Sequence, residues 1–533
     1  MDWLSFTVFL VFFAFTAFLA WRKTRRHKIK TVSSLFLANR SLNFIMIGGA
    51  LLFSNINTAT IIGENELVYT NNMSVMAWGL TSVLAMLVVS ELFMPIYLKT
   101  GITTTPDYLE ARYDKSTKTI VTVIFLVSYV VNLLPSVLYT GAVAFNGLFK
   151  LSDVWHLDYW ASLWIIIWLM GLAGCLYAVL GGIRAIAISD TLLGIGIFIG
   201  GIALPYFGFR YLGHGDWHQG LEKVLTAKTG HLNSIGGKND AVPFSTLFTG
   251  MLLMNLYYWG TEQYIVQQVL ASKDLATCQK GIAVACFGKI LSILMLNVPG
   301  LIAVHLLSGL DNTASVFPAL IRLTSPPYLI GYLAAIVFGA SLTTFNAGIN
   351  SASTLFTLNI YKPWREKKGP SFTERDLLRV AKRFELLACF CAVMIAPFIF
   401  FAKDGFYNYI QRVNGFFSLP IFTIILIGFL TKRVPPIAAK AGLLFFTFSY
   451  AILETVWPLK IHFLHLLAIL FIITCVIMLI IGRIKPLTVP YRQELANLVP
   501  IHPWKHRYVF SIILILLMLG IFFLFSPLGL AKA

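Results

Sequence analysis

Apolar runs recur along the whole chain, and no other feature restricts its possible folds so strongly. A helical run of about 20 apolar residues matches the thickness of a bilayer's hydrocarbon core. Because backbone groups in lipid must pair within their own segment, the runs predict membrane-spanning helices. Hydrophobic residues make up 58% of the 533 positions and charged residues 12%. A soluble chain has too little interior to bury so much apolar surface. The sequence therefore predicts an all-α membrane protein.

We predict fourteen spans, at 3–21, 42–69, 74–98, 118–149, 157–180, 184–212, 242–268, 277–307, 326–360, 376–402, 405–431, 436–457, 461–482 and 507–528. An even number puts both termini on one side of the membrane, and the dense basic clusters at 22–30, 362–383 and 483–507 then fall on the other side. Basic loops are cytoplasmic by the positive-inside rule, so we expect both termini outside the cell (plasma) membrane. Basic residues follow the first apolar run, which is typical of a retained span rather than a secretory signal.

The net charge of +18 does not indicate a nucleic-acid partner, because the clusters lie beside apolar spans and carry no nucleic-acid-binding motif. The spans contain no HExxH, GxSxG or His–carboxylate cluster, so we predict that the protein is not an enzyme. The six cysteines lie in or beside apolar spans without a CxxC pair, which is typical of small buried hydrophobes. The expected partners are a small solute, an ion and the bilayer, with the oligomeric state open.

Polar residues interrupt two of the predicted spans. The second span carries Ser54-Asn-Ile-Asn-Thr after Gly48-Gly49, and the seventh carries Asn255-Leu-Tyr-Tyr-Trp-Gly. The interruptions lie five spans apart, which is typical of transporters built from two inverted repeats with the binding site at the midplane. The alternative is that these polar side chains only join neighbouring helices.

This pattern divides the chain into five parts. We expect an additional N-terminal span with a cytoplasmic loop, a first five-helix repeat, an external loop, a second five-helix repeat and three additional C-terminal spans. Their predicted limits are 1–41, 42–212, 213–241, 242–431 and 432–533.

A third polar segment indicates which ion the interrupted helices bind. Ala340-Ser-Leu-Thr-Thr places adjacent hydroxyls on the apolar ninth span. Such hydroxyls often bond only to their own helix. Combined with unwound backbone at 53–57, they form a cage of neutral oxygens suited to sodium. Sodium is the one metal ion that the sequence implies.

Several sequence blocks resemble the sodium/solute symporter family, in particular its sodium–galactose and sodium–glucose cotransporters, over nearly the whole length. The blocks are Asn255-Leu-Tyr-Tyr-Trp-Gly-x-x-Gln-Tyr-Ile-Val-Gln, Gln279-Lys-Gly-Ile, Asn359-Ile-Tyr, Gly181-Gly182 with Ser189-Asp190, and Tyr409-Ile-Gln. The resemblance implies a LeuT-type fold, a five-plus-five inverted repeat with flanking helices, which is compatible with the fourteen predicted spans.

The resemblance also implies the sodium ligands. These are the backbone carbonyls of Phe53, Ile56 and Ala340 and the hydroxyls of Thr343 and Thr344. Asp190 matches an acidic position near the family's sodium path. A carboxylate within an apolar span is a functional candidate on physical grounds. The alternative for Asp190 is a helix-end residue at the cytoplasmic interface beside Arg184.

Four polar side chains are candidates for the solute site on residue type alone. A sugar site needs donors and acceptors for hydroxyls and an aromatic face for the ring, which Asn255, Tyr258, Lys289 and Gln411 offer. Lys289 lies mid-span, where an unpaired ammonium is costly, so it faces a cavity, a carboxylate or the solute. The alternative is a lysine that reaches the membrane interface.

The family's galactose site matches part of this set. The resemblance implies solute contacts from Ser82, Asn255, Lys289 and Gln411, an inner gate at Tyr258, and outer-gate aromatics at Trp78 and Tyr407. Asn55 and Thr60 at the second-span interruption are further candidates for the solute site, and Trp259 is a further candidate for a gate. Two positions differ: Thr60 stands where the galactose carriers have glutamine, and Gly79 where they have glutamate. Polar lining is therefore retained on one side and lost on the other.

Glu64 stands where the sugar carriers have a gate methionine. One hypothesis is that it replaces the missing carboxylate, and another is that it pairs with Lys289. The alternative is a residue in a wet outer vestibule beside Glu66.

These features predict a sodium-coupled symporter that imports a sugar or sugar-like polyol by alternating access. The alternatives are a sodium symporter for another organic solute, such as a sugar acid or an amino acid, and a sodium-independent carrier or sensor of the same fold.

Overall fold

The computed structural model describes residues 2–24, 31–310, 313–369, 373–401, 406–493, 496 and 498–531. Side chains at 20, 21, 23, 24, 32, 177–187, 189, 190 and 406–409 lie outside the described part. Regular structure in the described part is helical, with no strand.

The first half of the chain forms helices α1 (Trp3–Thr24), α2 (Val32–Phe36), α3 (Phe44–Asn55), α4 (Thr58–Thr70), α5 (Ala77–Val88), α6 (Met94–Thr100), α7 (Thr105–Arg112), α8 (Lys115–Ser128), α9 (Leu134–Phe149), α10 (Leu151–Trp155), α11 (Tyr159–Leu212) and α12 (Trp217–Thr226). The π-helical segments Val89–Phe93 and Tyr129–Leu133 join α5 to α6 and α8 to α9.

The second half forms α13 (Gly250–Gly260), α14 (Gln263–Leu270), α15 (Leu275–Leu306), α16 (Val316–Thr324), α17 (Pro327–Leu355), α18 (Lys362–Lys368), α19 (Glu374–Ile395), α20 (Phe406–Leu430), α21 (Pro436–Ala451), α22 (Phe463–Ile484) and α23 (Arg507–Leu524). Two further π-helical segments, Phe356–Tyr361 and Ile452–Val456, follow α17 and α21.

Within the described residues, eleven helices are long and apolar enough to cross a membrane, or up to twelve if the bent pair α3–α4 is one span. These helices occupy twelve of the fourteen predicted positions. At the first position α1 runs from Trp3 to Thr24, but the apolar part with described side chains ends at Leu19. At the seventh position the chain forms the two short helices α13 and α14. The count of fourteen spans therefore stays a prediction.

Helix α11 covers two predicted spans, 157–180 and 184–212. Both parts of α11 contact α17: a side chain at Gly174 would meet Phe345, one at Gly339 would meet Leu193, and one at Gly200 would meet Leu333. The last part of α11 therefore runs antiparallel to α17.

Helix α17 lies deep in the bundle, since nearly every residue from 329 to 355 is buried. It packs against α1, α9 and α11. Small residues allow this close approach, as is usual where helices associate in lipid. At Gly339 of α17, for example, an added Cβ would lie 2.5 Å from a side-chain carbon of Leu193 on α11.

The predicted external loop 213–241 contains a helix, α12. Asp216 caps its first turn by accepting a hydrogen bond from the amide of His218 at 2.9 Å. Gly220 and Val224 lie on its buried face, about one helical turn apart. The polar composition of the loop hides this helical pattern in the sequence.

Candidate functional site

Helices α3 and α4 together are long and apolar enough for one span, and they meet at an angle of 55°. The break falls at Ile56 and Asn57, inside the predicted interruption, because the polar side chains offer the backbone other partners. The Asn57 side chain caps α4 by accepting from the amide of Thr60 at 2.9 Å. The amide of Asn57 donates to the carbonyl of Asn55 at 2.9 Å.

The second break lies elsewhere than predicted. We expected it at 255–260, but α13 is helical through Gly260, and the chain leaves the helix at Thr261 and Glu262. Asn255 fits the helix because its amide group donates to the carbonyl of Met251 at 3.2 Å. The amides of Thr261 and Glu262 both donate to the Tyr257 carbonyl, at 2.7 and 3.1 Å, and end the helix.

Hydrogen bonds join the first break to α17. The hydroxyl of Thr344 donates to the carbonyl of Ser54 at 3.3 Å, and that of Thr58 donates to the carbonyl of Val337 at 3.0 Å. Thr58 also shares a short hydrogen bond with Ser341. The broken span and the hydroxyl-rich segment of α17 are therefore in direct contact.

A cavity of about 170 Å³ lies between the two breaks. Polar and aromatic side chains dominate its wall: Asn55, Asn57, Thr60, Glu64, Trp78, Ser82, Ser128, Tyr129, Asn132, Ser136, Asn255, Tyr257, Tyr258, Glu262, Tyr264, Lys289, Gln411, Asn414, Phe417 and Ser418. Such a wall can bind a small solute that carries several hydroxyl groups.

The structure brings the predicted solute residues together on this wall. Asn55, Thr60, Ser82, Asn255, Lys289 and Gln411 all line the cavity, as do Glu64, Trp78 and Tyr258 from the predicted gates. Trp259 does not line it; it packs edge-on against Tyr258, with ring centroids 5.1 Å apart. The side chains of Asp190 and Tyr407 lie outside the described residues.

The five predicted sodium-binding residues do not line the cavity as described. They are buried beside it, where α3 ends and α17 passes: Phe53 5% exposed, Ile56 0%, Ala340 1%, Thr343 2% and Thr344 0%. Thr343 donates to the carbonyl of Ala340 at 3.2 Å. An ion in this place would lie apart from the solute.

One wall of the cavity was not predicted from the sequence. Ser128, Asn132 and Ser136 line it from the fourth predicted span. Their four-residue spacing marks one face of a helix, so this polar stripe was a usable signal. Glu262 and Tyr129 also line the cavity, and only the correct position of the second break would have indicated Glu262.

Comparisons with known proteins agree with this geometry. The model of the sodium:solute symporter family matches residues 35–445. An uncharacterized symporter of Escherichia coli K12, YidK, is 39% identical over 522 residues, covering 98% of this chain and 91% of that protein. The sodium/glucose cotransporter of Vibrio parahaemolyticus is 27% identical and the sodium/myo-inositol cotransporter of Bos taurus 27%, covering 84% and 87% of this chain and 84% and 70% of those proteins.

Solved structures share the fold. A Na⁺-coupled sialic acid symporter in a substrate-bound outward-open state aligns with a TM-score of 0.76 at 17% identity, covering 92% of this chain and 99% of that chain. The nucleobase-cation-symport-1 family transporter Mhp1, in a closed conformation, aligns with a TM-score of 0.53 at 12% identity, covering 85% and 96%. With its family match, its long apolar helices and its enclosed polar cavity, the chain belongs to the sodium:solute symporter family and is a multi-pass membrane transporter with sodium as the coupled ion.

Proposed function

We propose that this transporter imports a small polar solute, a sugar or sugar-like polyol, together with sodium by alternating access. The observation that carries the proposal is the cavity between the two helix breaks, with amides, hydroxyls and aromatic rings on its wall. The proposed architecture is a LeuT-type five-plus-five inverted repeat within fourteen spans, divided at the limits given above. Two broken helices at one site are the feature expected of such a repeat.

The proposed sodium ligands are the carbonyls of Phe53, Ile56 and Ala340 and the hydroxyls of Thr343 and Thr344. Two backbone amides that do not follow the helical hydrogen-bond pattern support the assignment of the Phe53 and Ile56 carbonyls. A continuous helix would direct the amide of Asn57 to Phe53, but that amide donates to Asn55. It would direct the amide of Thr60 to Ile56, but that amide donates to the side chain of Asn57. Carbonyls that lose their helical donors in this way are suitable for a bound cation. Asp190 is proposed to lie on the ion's path.

Hydrogen bonding around the cavity indicates what each side chain can offer a solute. Asn255 directs its amide hydrogens to Thr81 at 2.9 Å and to its own helix, so its oxygen can accept. Ser82 donates to the Gly79 carbonyl at 2.6 Å, which leaves its oxygen as an acceptor. Gln411 accepts from Asn414 at 3.2 Å through its oxygen, which leaves its amide nitrogen as a donor.

Gly79 and Thr60, the two positions that differ from the galactose carriers, change the space and the hydrogen bonds available to a solute. A Cβ at Gly79 would lie 2.9 Å from Ile293 and 3.4 Å from Cε of Lys289, so the lysine stem occupies the space that a glutamate would need. The hydroxyl of Thr60 donates to the carbonyl of Asn55 at 3.1 Å. We propose that this wall binds the solute differently from a galactose site.

Glu64 is proposed to supply the missing carboxylate. Glu64 is 2% exposed, and Lys289, which also lines the cavity, is 4% exposed. The described residues show no ion pair between them. Of the two hypotheses for Glu64, the replacement of the missing carboxylate therefore has more support than a direct pair.

The proposed mechanism couples the two ligands through the broken span. Sodium would hold α3 against α17 and complete the wall that Asn55 and Thr60 contribute. The coupling is reciprocal, so each ligand raises the affinity of the other by the same factor. Release of sodium inward would loosen the inner gate, where Tyr258 contacts the hydroxyl of Tyr264 at 2.6 Å. Trp78 and Tyr407 are the proposed outer gate, and Trp259 supports the inner one.

The proposed orientation places both termini outside a cell membrane and the basic clusters in the cytoplasm. The proximity of the clusters to the spans supports it.

The experiment is a thermal-shift screen of purified protein against sugars, polyols, sugar acids and amino acids, with sodium chloride or choline chloride. A sugar or polyol that raises the unfolding midpoint more in sodium supports the proposal. Stabilisation by an amino acid alone would replace the solute class. A sugar response that is equal in choline would point to a sodium-independent carrier or sensor.

A further inference from the structure

The charges on the cavity wall do not balance. Among the described lining residues, the charged ones are Glu64, Glu262 and Lys289. Two carboxylates therefore face one ammonium group. The proposed mechanism gives no role to Glu262, which is 8% exposed and lies at the second helix break.

The hydrogen bonds around Glu262 are those that stabilise its ionised form. The hydroxyl of Tyr257 donates to one carboxylate oxygen at 2.6 Å, and the hydroxyl of Tyr129 donates to the other in a short hydrogen bond. Tyr129 itself accepts from the backbone amide of Tyr264 at 3.2 Å, so its single proton points at the carboxylate. Both carboxylate oxygens therefore have a hydroxyl donor, and hydrogen bonds of this kind favour the charged form of the acid.

The described structure brings no cation to Glu262. None of the ion pairs among the described residues includes it. The proposed sodium ligands are not on the cavity wall, so sodium bound there would not contact the carboxylate. The two tyrosines satisfy the carboxylate's hydrogen bonds, but the negative charge persists beside the space that a solute would fill.

We propose that Glu262 determines the charge of the transported solute: the cavity accepts neutral or cationic sugars and excludes sugar acids. This inference rests on the proposed function, because it selects among sugar classes. A carboxylate on the solute would meet Glu262 and Glu64 in a site with little water to screen the repulsion. Like charges at close range in such surroundings change affinity by about tenfold or more. A neutral hydroxyl or an ammonium group can instead donate to the remaining lone pairs of the carboxylate.

The test uses matched sugars that differ in charge. Hexose, hexosamine and hexuronate of the gluco, galacto and manno series are titrated against the purified wild-type protein in sodium, at a pH where the amine is protonated and the acid ionised. In each series that binds, we expect the hexuronate to bind at least about tenfold more weakly than the hexose, a difference of about 1.4 kcal/mol. Equal affinity for hexuronate and hexose would overturn the inference and leave the proposed function intact.

Three variants locate the effect. E262Q keeps the size of the side chain and removes the charge, so we expect the discrimination against hexuronate to fall to about a tenth of its wild-type value or less. Y257F removes a donor and keeps the charge, so the discrimination should persist. E385Q changes a fully buried acidic side chain that does not line the cavity and controls for the effect of a buried Glu-to-Gln replacement on the fold.

Discrimination that survives in E262Q contradicts the role of Glu262. If E262Q does not fold, the titrations of wild type, Y257F and E64Q still decide the inference: it stands if hexuronate is rejected in all three and falls if any of them accepts it. If no sugar of any charge binds, the proposed function itself is wrong, and the inference falls with it.

Discussion

Replacement of Thr343 and Thr344 together by alanine removes two of the five proposed sodium ligands while the break in the second span remains. Both hydroxyls are buried, 2% and 0% exposed. The variant also removes the hydrogen bond from Thr344 to the Ser54 carbonyl at 3.3 Å, one of the links between α3 and α17. The perturbation therefore acts on the ion site and on the helix contact that the ion is proposed to strengthen.

The size of the effect follows from the two lost oxygens. An interaction of a polar group with a charge contributes about 1.5–3 kcal/mol, so two of them give about 3–6 kcal/mol. Since about 1.4 kcal/mol corresponds to tenfold, the apparent sodium affinity should fall by about a hundredfold or more. A ligand that binds the folded state stabilises it by about 2.7 kcal/mol at 100 times its dissociation constant. The assay is therefore the unfolding midpoint measured against sodium concentration, with choline chloride holding the ionic strength constant.

A matched control separates ion binding from packing. Thr423 and Thr474 are also fully buried, and their hydroxyls donate to carbonyls of their own helices at 2.6 and 2.7 Å. The double alanine variant at these positions should lose stability without a change in its sodium response. If the Thr343–Thr344 variant keeps the wild-type sodium midpoint, the ion site lies elsewhere.

Three further predictions test separate parts of the account. Gly194→Ala places a Cβ 1.5 Å from the Phe53 ring, so it should destabilise the fold by about 1–3 kcal/mol through overpacking; Gly520→Ala, with open space around its Cβ, should not, and equal unfolding midpoints would refute the packing argument. Glu64→Gln should change solute uptake or its sodium dependence, and unchanged values of both would remove Glu64 from the site. Burial raises the pKa of Asp114, but hydrogen bonds from an α21 lysine and the α8 cap outweigh it and lower the pKa below its ordinary 3.8. The ionised carboxylate of Asp114 therefore contributes to the free energy of unfolding above pH 3.8, and this contribution is lost as the pH falls through the folded pKa. Asp114→Asn should be less stable than wild type at neutral pH and as stable as wild type in acid. A difference in stability that does not change with pH would contradict this.

Much of the architecture follows from the sequence because lipid imposes simple rules on it. Apolar runs located the long helices, and Ser54 to Thr58 located the bent span, since Asn57 can cap a new helix within lipid-buried backbone. The hydroxyls of α17 and the residues Asn255, Lys289 and Gln411 were predicted through residue type and family resemblance, and all three line the cavity.

The rest depended on tertiary contacts that the sequence does not display. Asn255 was predicted to interrupt its helix, but its amide group donates a hydrogen bond within the helix. The second break therefore lies later in the chain, at Thr261 and Glu262. The stripe of Ser128, Asn132 and Ser136 resembles ordinary polar contacts between helices. It is the position of the cavity that gives this stripe and Glu262 their importance.

Sodium coupling through the bent span is the central claim, and solute accumulation in proteoliposomes tests it most directly. The solute identified by the thermal-shift screen is supplied outside, with an inward sodium gradient or with choline in its place. Sodium coupling predicts an internal solute concentration above the external one in sodium, no accumulation in choline, and none in the Thr343–Thr344 double variant. Equal uptake in sodium and choline would contradict it.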